Sequence, residues 1–262
     1  MNLKQCFLYN NDCYKTAKPL KPSGIMVHST GADNPNLRRY VQPDDGLLGI
    51  NTYNNDWNRP RPGRKQVCVH AFIGKLNDGS VATYQTLPWD IRGWHAGGKA
   101  NDTHIGFEIC EDNLNNSEYF TRVYNEAAEL CAMLCQQFGL TEKNIICHSE
   151  GYKRRIASNH SDVMHWFPIH GKSMDSFRAA VGGMIKQMPD TPTPRPTLRR
   201  GISGSEVREL QNRLVAQGYK LPGYGADGDF GLETETAVKS FQTDKRLVVD
   251  GIVGPKTWAA LG

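Results

Sequence analysis

Three consecutive segments fix the class of the fold: His104-Ile-Gly-Phe-Glu-Ile-Cys110, then Glu118 to Phe138, then Asn144-Ile-Ile-Cys147. The first alternates, with Phe107 and Ile109 on one side and Gly106 and Glu108 on the other, the period-2 pattern of a strand. In the second, Val123, Ala127, Leu130, Met133, Leu134 and Phe138 recur at helical spacing, and Gly139 closes the run as a C-terminal glycine does. The third is a short apolar strand that runs into His148. Strand, helix and strand in succession predict an α/β layer fold.

Working outward, Gly24-Ile-Met-Val-His28 reads as another strand that ends in a histidine. Val67 to Gly74 reads as a strand, followed by an Asn77-Asp78-Gly79 turn and a partner strand from Ser80 to Gln85, the pattern of a hairpin. Ser173 to Gln187 reads as a last helix. The expected architecture is a mixed central β-sheet flanked by helices. It ends at Met188-Pro-Asp-Thr-Pro-Thr-Pro-Arg-Pro196, where four prolines alternate with short polar residues and form a semi-rigid spacer. The expected division is residues 1–187, a linker at 188–197, and a small all-α three-helix domain at 198–262.

In that tail, helices are expected over Val207 to Val215, Leu232 to Gln242 and Pro255 to Leu261. Asp227-Gly-Asp-Phe-Gly-Leu-Glu-Thr234 is echoed by Asp250-Gly-Ile-Val-Gly-Pro-Lys-Thr257, which predicts two similar turn–helix units. Pro255 suits the first turn of its helix. Gly223-Tyr-Gly-Ala-Asp-Gly228 spells G-x-G-x-x-G, but Pro222 precedes it where a nucleotide-binding turn needs a strand.

The 262 residues carry a net charge of +4 with no basic block, which excludes a nucleic-acid partner of the usual kind and would suit an anionic surface. No apolar run reaches the roughly 20 residues that span a bilayer, so no membrane insertion is expected. Met1-Asn-Leu-Lys-Gln-Cys6 lacks the apolar core of a signal peptide, so synthesis in the cytoplasm is expected. Seven cysteines, an odd number, point to reduced thiols. Cys131 and Cys135, at i and i+4, suit a helix core.

The chemistry lies in His148-Ser-Glu-Gly-Tyr-Lys-Arg-Arg-Ile-Ala-Ser-Asn-His160-Ser-Asp162 together with His28. Two imidazoles at strand ends and one further donor, either His160 or Asp162, can hold a zinc ion and leave a fourth position open, as catalytic zinc sites do. Glu108, a carboxylate in mid-strand, suits a general base that acts on a water made acidic by the metal. Trp94-His95-Ala-Gly-Gly98 adds an apolar platform and a donor, with glycines that let the loop approach a ligand. Cys147 is the rival nucleophile, but neighbours on a strand point to opposite faces, so it cannot act with His148.

Val27-His28-Ser29-Thr30, the hairpin at Asp78-Gly79, Gly93-Trp94-His95-Ala96-Gly97, Asn101 through Ile105-Gly106-Phe107-Glu108, and Cys147-His148-Ser149 occur in this order. Together they resemble the zinc-dependent N-acetylmuramoyl-L-alanine amidases shared by bacteriophage lysozyme-like enzymes and animal peptidoglycan recognition proteins. The resemblance covers roughly residues 20 to 185. It implies that His28 and His148 are ligands, that Asp162 is the third, that Glu108 activates water, and that His95 lines the cleft. His160 takes the place of a residue, often lysine or threonine, that assists the transition state. The separation of His148 from Asp162 is longer than is usual in the family.

Residues 198 to 262 are similar to the three-helix peptidoglycan-binding module found beside wall hydrolases, through Gly204-Ser-Glu-Val-Arg-Glu-Leu-Gln211, Gly218-Tyr219, Asp227-Gly-Asp-Phe-Gly231, Phe241-Gln242 and Asp250-Gly-Ile-Val-Gly254. The two resemblances imply an endolysin or autolysin that cuts bacterial peptidoglycan between N-acetylmuramic acid and L-alanine. It would be released to the wall by a separate holin, and a monomer is expected. The alternatives are a peptidoglycan-recognition protein that binds without cutting, and a zinc peptidase that cuts elsewhere in the stem peptide.

Overall fold

Six strands form one mixed sheet in this computed structural model, which describes residues 1–188 and 195–261. In chain order they are β1 (Leu3–Gln5), β2 (Gly24–Ser29), β3 (Ala71–Lys75), β4 (Val81–Gln85), β5 (His104–Ile109) and β6 (Ile145–Cys147). The spatial order is β1-β4-β3-β5-β2-β6. Strands β3, β5, β2 and β6 run parallel, and β4 turns back antiparallel to β3 through the expected hairpin. The helices of this part are α1 (Asp12–Thr16), α2 (Ser117–Phe138), α3 (His148–Lys153) and α4 (Met174–Gln187). The chain divides into two compact units, Met1–Thr191 and Pro192–Gly262. Most of the Pro-rich linker expected at 188–197 falls on residues 189–194, outside the described residues.

Alternation along the strands separates two faces. Ile25, Val27, Ile105, Phe107, Ile109, Ile145 and Cys147 join the apolar residues of α2 and α4 in one core, where Cys131 and Cys135 are also packed. The opposite face carries His28, Gly106 and Glu108. The register sets the site: His28 lies directly beside Glu108 on the neighbouring parallel strand, and Val27 lies beside Cys147. His148 follows at once as the first residue of α3. All three functional side chains therefore emerge at the carboxyl ends of adjacent parallel strands, where crevices form in open α/β sheets.

The strand expected from Val67 begins only at Ala71. Cys68 instead makes an isolated bridge to Trp94, because the chain there pairs with the Gly93–His95 loop before it enters the sheet. β1 and the short α3 were not anticipated. No helix among the described residues is long and apolar enough to cross a membrane.

The second unit contains α5 (Ser205–Ala216), α6 (Leu232–Asp244) and α7 (Pro255–Leu261) around a core of Val207, Leu210, Leu214, Phe230, Val238, Phe241, Val253 and Trp258. The sequence echo is also an echo of hydrogen bonds. Gln211 donates to the Asp227 carboxylate (2.8 Å), the Asp229 carbonyl (3.0 Å) and the Thr234 hydroxyl (3.0 Å), and it accepts from Gly228 N–H (2.8 Å). Gln242 repeats the set with Asp250 (2.8 Å), Ile252 (2.9 Å), Thr257 (3.3 Å) and Gly251 N–H (2.8 Å). Each buried glutamine amide is thus fully paired by one Asp-Gly turn, as a buried polar group must be.

Candidate metal centre

Three atoms converge at the end of the sheet. His28 Nδ1 lies 2.9 Å from Asp162 Oδ2, His148 Nδ1 lies 3.2 Å from the same oxygen, and the two Nδ1 atoms are 3.2 Å apart. All three residues are buried. Donors about 2.0–2.1 Å from a tetrahedral zinc would sit about 3.3 Å from one another, so this spacing fits a shared ion.

The surroundings decide what those atoms carry. His95 Nε2 faces the His104 carbonyl at 3.1 Å and must donate to it, which leaves His95 Nδ1 as an acceptor. His28 Nε2 lies 2.9 Å from that acceptor and must hold a proton, so the neutral His28 ring has a bare Nδ1. Burial favours the neutral form, pushing the His28 pKa down despite Asp162. It does the same for His95, more strongly, aided by His28 and His70. On the other side, Ser158 Oγ donates to the Ala96 carbonyl (3.2 Å) and accepts from His148 Nε2 (3.1 Å). That leaves His148 Nδ1 bare as well.

Two bare imidazole nitrogens and one carboxylate oxygen at mutual distances near 3 Å repel one another, and a bound cation relieves this. Partners that fix the distal ring nitrogens in this way are what metal-binding histidines commonly have. The site therefore fits a divalent ion on its own donor chemistry.

Each element contributes. α3 is locked by Arg178 of α4, whose guanidinium grips both Glu150 oxygens at 3.0 Å and also donates to the Ile145 carbonyl (3.1 Å). Glu150 in turn accepts from Cys147 N–H (3.1 Å), next to His148. Asp162 precedes Val163, which is fully buried with φ of 57°, a strained conformation for a β-branched residue. Its N–H donates to Ser29 Oγ at 3.2 Å and ties the Asp162 turn to β2.

Glu108 stands beside His28. Its Oε2 is buried without a hydrogen-bond partner. Burial, reinforced by the Asp162 and Glu111 carboxylates, raises its pKa well above the ordinary value. His160 does not join the three converging atoms. Its Nδ1 bonds the other oxygen of Asp162, Oδ1, at 2.9 Å, and its largely exposed ring borders a cleft of about 600 Å³ beside Trp94, Glu108 and Lys65.

One expectation needs correction. His95 borders the cleft, but both of its ring nitrogens are engaged, so it is not free to donate to a substrate; it orients His28 instead. A Cβ on Gly106 would fall 2.4 Å from the His95 ring, so that glycine makes room for it. The glycines after His95 also make room for protein, while Gly97 lines the cleft. A Cβ on Gly98 would fall 2.5 Å from the Ile156 carbonyl, so the pair lets the segment that carries Ser158 pack beneath His148. Ser158 and Lys65 were not anticipated. Neither sits in a pattern that distinguishes it from an ordinary loop residue.

The sequence model of the family described as N-acetylmuramoyl-L-alanine amidase matches residues 18–164, more than half of the chain. The chain belongs to this amidase family. The model described as a putative peptidoglycan binding domain matches residues 203–261, so the echo of Gln211 and Gln242 lies inside that domain. N-acetylmuramoyl-L-alanine amidase CwlL of Bacillus licheniformis is 34% identical over 221 residues, 76% of this chain and 57% of that protein. A probable N-acetylmuramoyl-L-alanine amidase of the same species is 34% identical over 172 residues, 62% of this chain and 46% of that protein. The chain thus spans about half the length of these relatives. The crystal structure of Staphylococcus aureus hydrolase AmiA in complex with its ligand is similar with a TM-score of 0.49 and 19% identity, covering 70% of this chain and 82% of that one. The cleft residues His95, Glu108, His148, His160 and Asp162, and the buried His28 behind them, all come from the matched segment.

Proposed function

We propose that this amidase hydrolyses the amide between N-acetylmuramic acid and L-alanine in bacterial peptidoglycan, with zinc held by His28, His148 and Asp162. Residues 1–187 would form the catalytic part, 188–197 a linker and 198–262 a wall-binding unit, acting as a monomer. The reading rests above all on the three bare acceptor atoms that meet beside the unpartnered carboxylate of Glu108.

Zinc, when bound, supplies a Lewis acid that polarises the carbonyl and makes water acidic enough to lose a proton near neutral pH. Glu108 Oε2 takes that proton as the water oxygen attacks the carbonyl carbon. The same carboxyl then passes the proton to the amide nitrogen as the carbon–nitrogen bond breaks. The products are a lactyl carboxylate on the sugar and a free amine on L-alanine. His160, whose Nδ1 donates to Asp162, borders the cleft, and only its doubly protonated ring could also donate from Nε2 to the carbonyl oxygen as its negative charge grows. His95 and Ser158 touch no substrate. They hold the rings of His28 and His148 with Nδ1 turned inward.

Mass analysis of digested cell walls tests the bond cleaved. Intact stem peptides with a free L-alanine amine are expected. Products cut within the stem peptide would replace this reading with that of a peptidase.

A further inference from the structure

The two halves of the second unit share one hydrogen-bonded turn but differ in what lies before it. Sixteen positions separate Gln211 from Asp227, against eight between Gln242 and Asp250. The second half closes the same turn without the extra residues, so folding of the turn does not require them. Insertions in one copy of a repeat tend to map to its functional face.

The extra segment is built firmly. Gly223 and Tyr224 donate their N–H groups to the two Glu233 oxygens at 2.7 and 3.2 Å, the Tyr219 hydroxyl donates to Asp244 at 2.8 Å, and Leu221 is buried. Yet Tyr224 is 79% exposed and faces α6, where Leu232 is 61% exposed. Between segment and helix runs a groove of about 870 Å³, with Tyr219, Pro222 and Tyr224 on one wall and Leu232, Thr236 and Ser240 along the other.

We propose that this groove binds the glycan strand of peptidoglycan, a chain of N-acetylated amino sugars that carries no charge while its lactyl groups stay amide-linked to the stem peptides. The inference rests on the reading of residues 198–262 as a wall-binding unit and gives that unit its site. Tyrosine and proline plates match the apolar faces of pyranose rings and acetamido methyls, and the tyrosine hydroxyls keep a polar edge. Charge decides against the other wall components. Asp227, Asp229 and Glu233 line the groove against a single Lys220. That balance repels stem peptides and wall polymers rich in carboxylate or phosphate, and costs a neutral sugar nothing.

The test is sedimentation of the full chain with purified sacculi, with an N-acetylglucosamine tetramer as soluble competitor. The tetramer is expected to displace the parent chain, and Tyr224→Ala is expected to cut retention about tenfold without lowering Tm. Thr236→Trp, which fills the groove from the helix side, is expected to do the same. Val248→Ser, at an exposed apolar residue of the second half, is expected to change nothing. Displacement by free stem peptide but not by the tetramer would overturn the glycan assignment. Parent-like retention of both groove variants would overturn the site. A parent chain that does not sediment with sacculi at all would overturn the wall-binding reading itself.

Discussion

His28 has little freedom in this protein. Its outer nitrogen is spoken for by His95, and His95 is fixed in turn by the His104 carbonyl. One consequence is that His95→Phe, which keeps the ring but removes the acceptor, should weaken zinc affinity by about 10- to 100-fold, measured by competition with a chelating dye. Unchanged affinity would show that the relay does not orient the ligand. Glu108→Gln separates binding from chemistry. It should leave zinc affinity near that of the parent while cleavage falls by about 10²- to 10⁴-fold. A variant that digests walls at the parent's rate would remove Glu108 from the mechanism. At this scale His28 and Glu108 were legible because strand alternation says which way a side chain points. The task of His95 was not, since it depends on contacts between loop and strand that no local spacing encodes.

Elements were legible where they were long or strongly alternating. Strands β2 and β5, helix α2 and the hairpin follow from apolar spacing. The helix that starts at His148 is six residues long and contains Gly151, so it has no periodicity to detect; it is held by Arg178 instead. His70, between β5 and the Ile91 segment, carries a prediction of its own. Its Nε2 donates to the Ile91 carbonyl (2.8 Å) and its Nδ1 accepts from Gly106 N–H (3.1 Å), a pairing only the neutral ring can make. Burial lowers its pKa to about 4. The unfolded chain, with an ordinary histidine pKa, binds the extra proton first. The share of stability that His70 contributes should therefore be full above about pH 6.5 and fall by up to about 3 kcal/mol as the pH drops towards 4, adding to the losses from His28 and His95. Urea midpoints of metal-free protein at pH 7 and pH 4.5 measure this, and His70→Gln should flatten the slope. A variant with the parent's slope would place the proton elsewhere.

At the scale of the whole molecule, the alternating prolines before residue 197 and the duplicated Asp-Gly turns led to an expected division around 188–197, and the structure divides into the compact units Met1–Thr191 and Pro192–Gly262. The groove of the second unit was not legible, because it depends on where an eight-residue excess folds back. The amidase family match and the peptidoglycan-binding match fall on separate stretches of the chain. If the second unit tethers the first to an insoluble polymer, it acts by raising local concentration. Removal of residues 189–262 should then slow wall lysis by at least about tenfold while leaving cleavage of a soluble muropeptide nearly unchanged. Equal losses on both substrates would show that the second unit supports the fold or the chemistry instead.

The proposed zinc dependence rests on two imidazoles and one carboxylate that meet at a point with no protons between them. The most direct test is the zinc requirement of cleavage, followed by mass analysis of muropeptide products as chelator-stripped protein is titrated with zinc. No cleavage is expected from the stripped protein, with full recovery at one zinc per chain. Undiminished cleavage by the stripped protein would contradict the account.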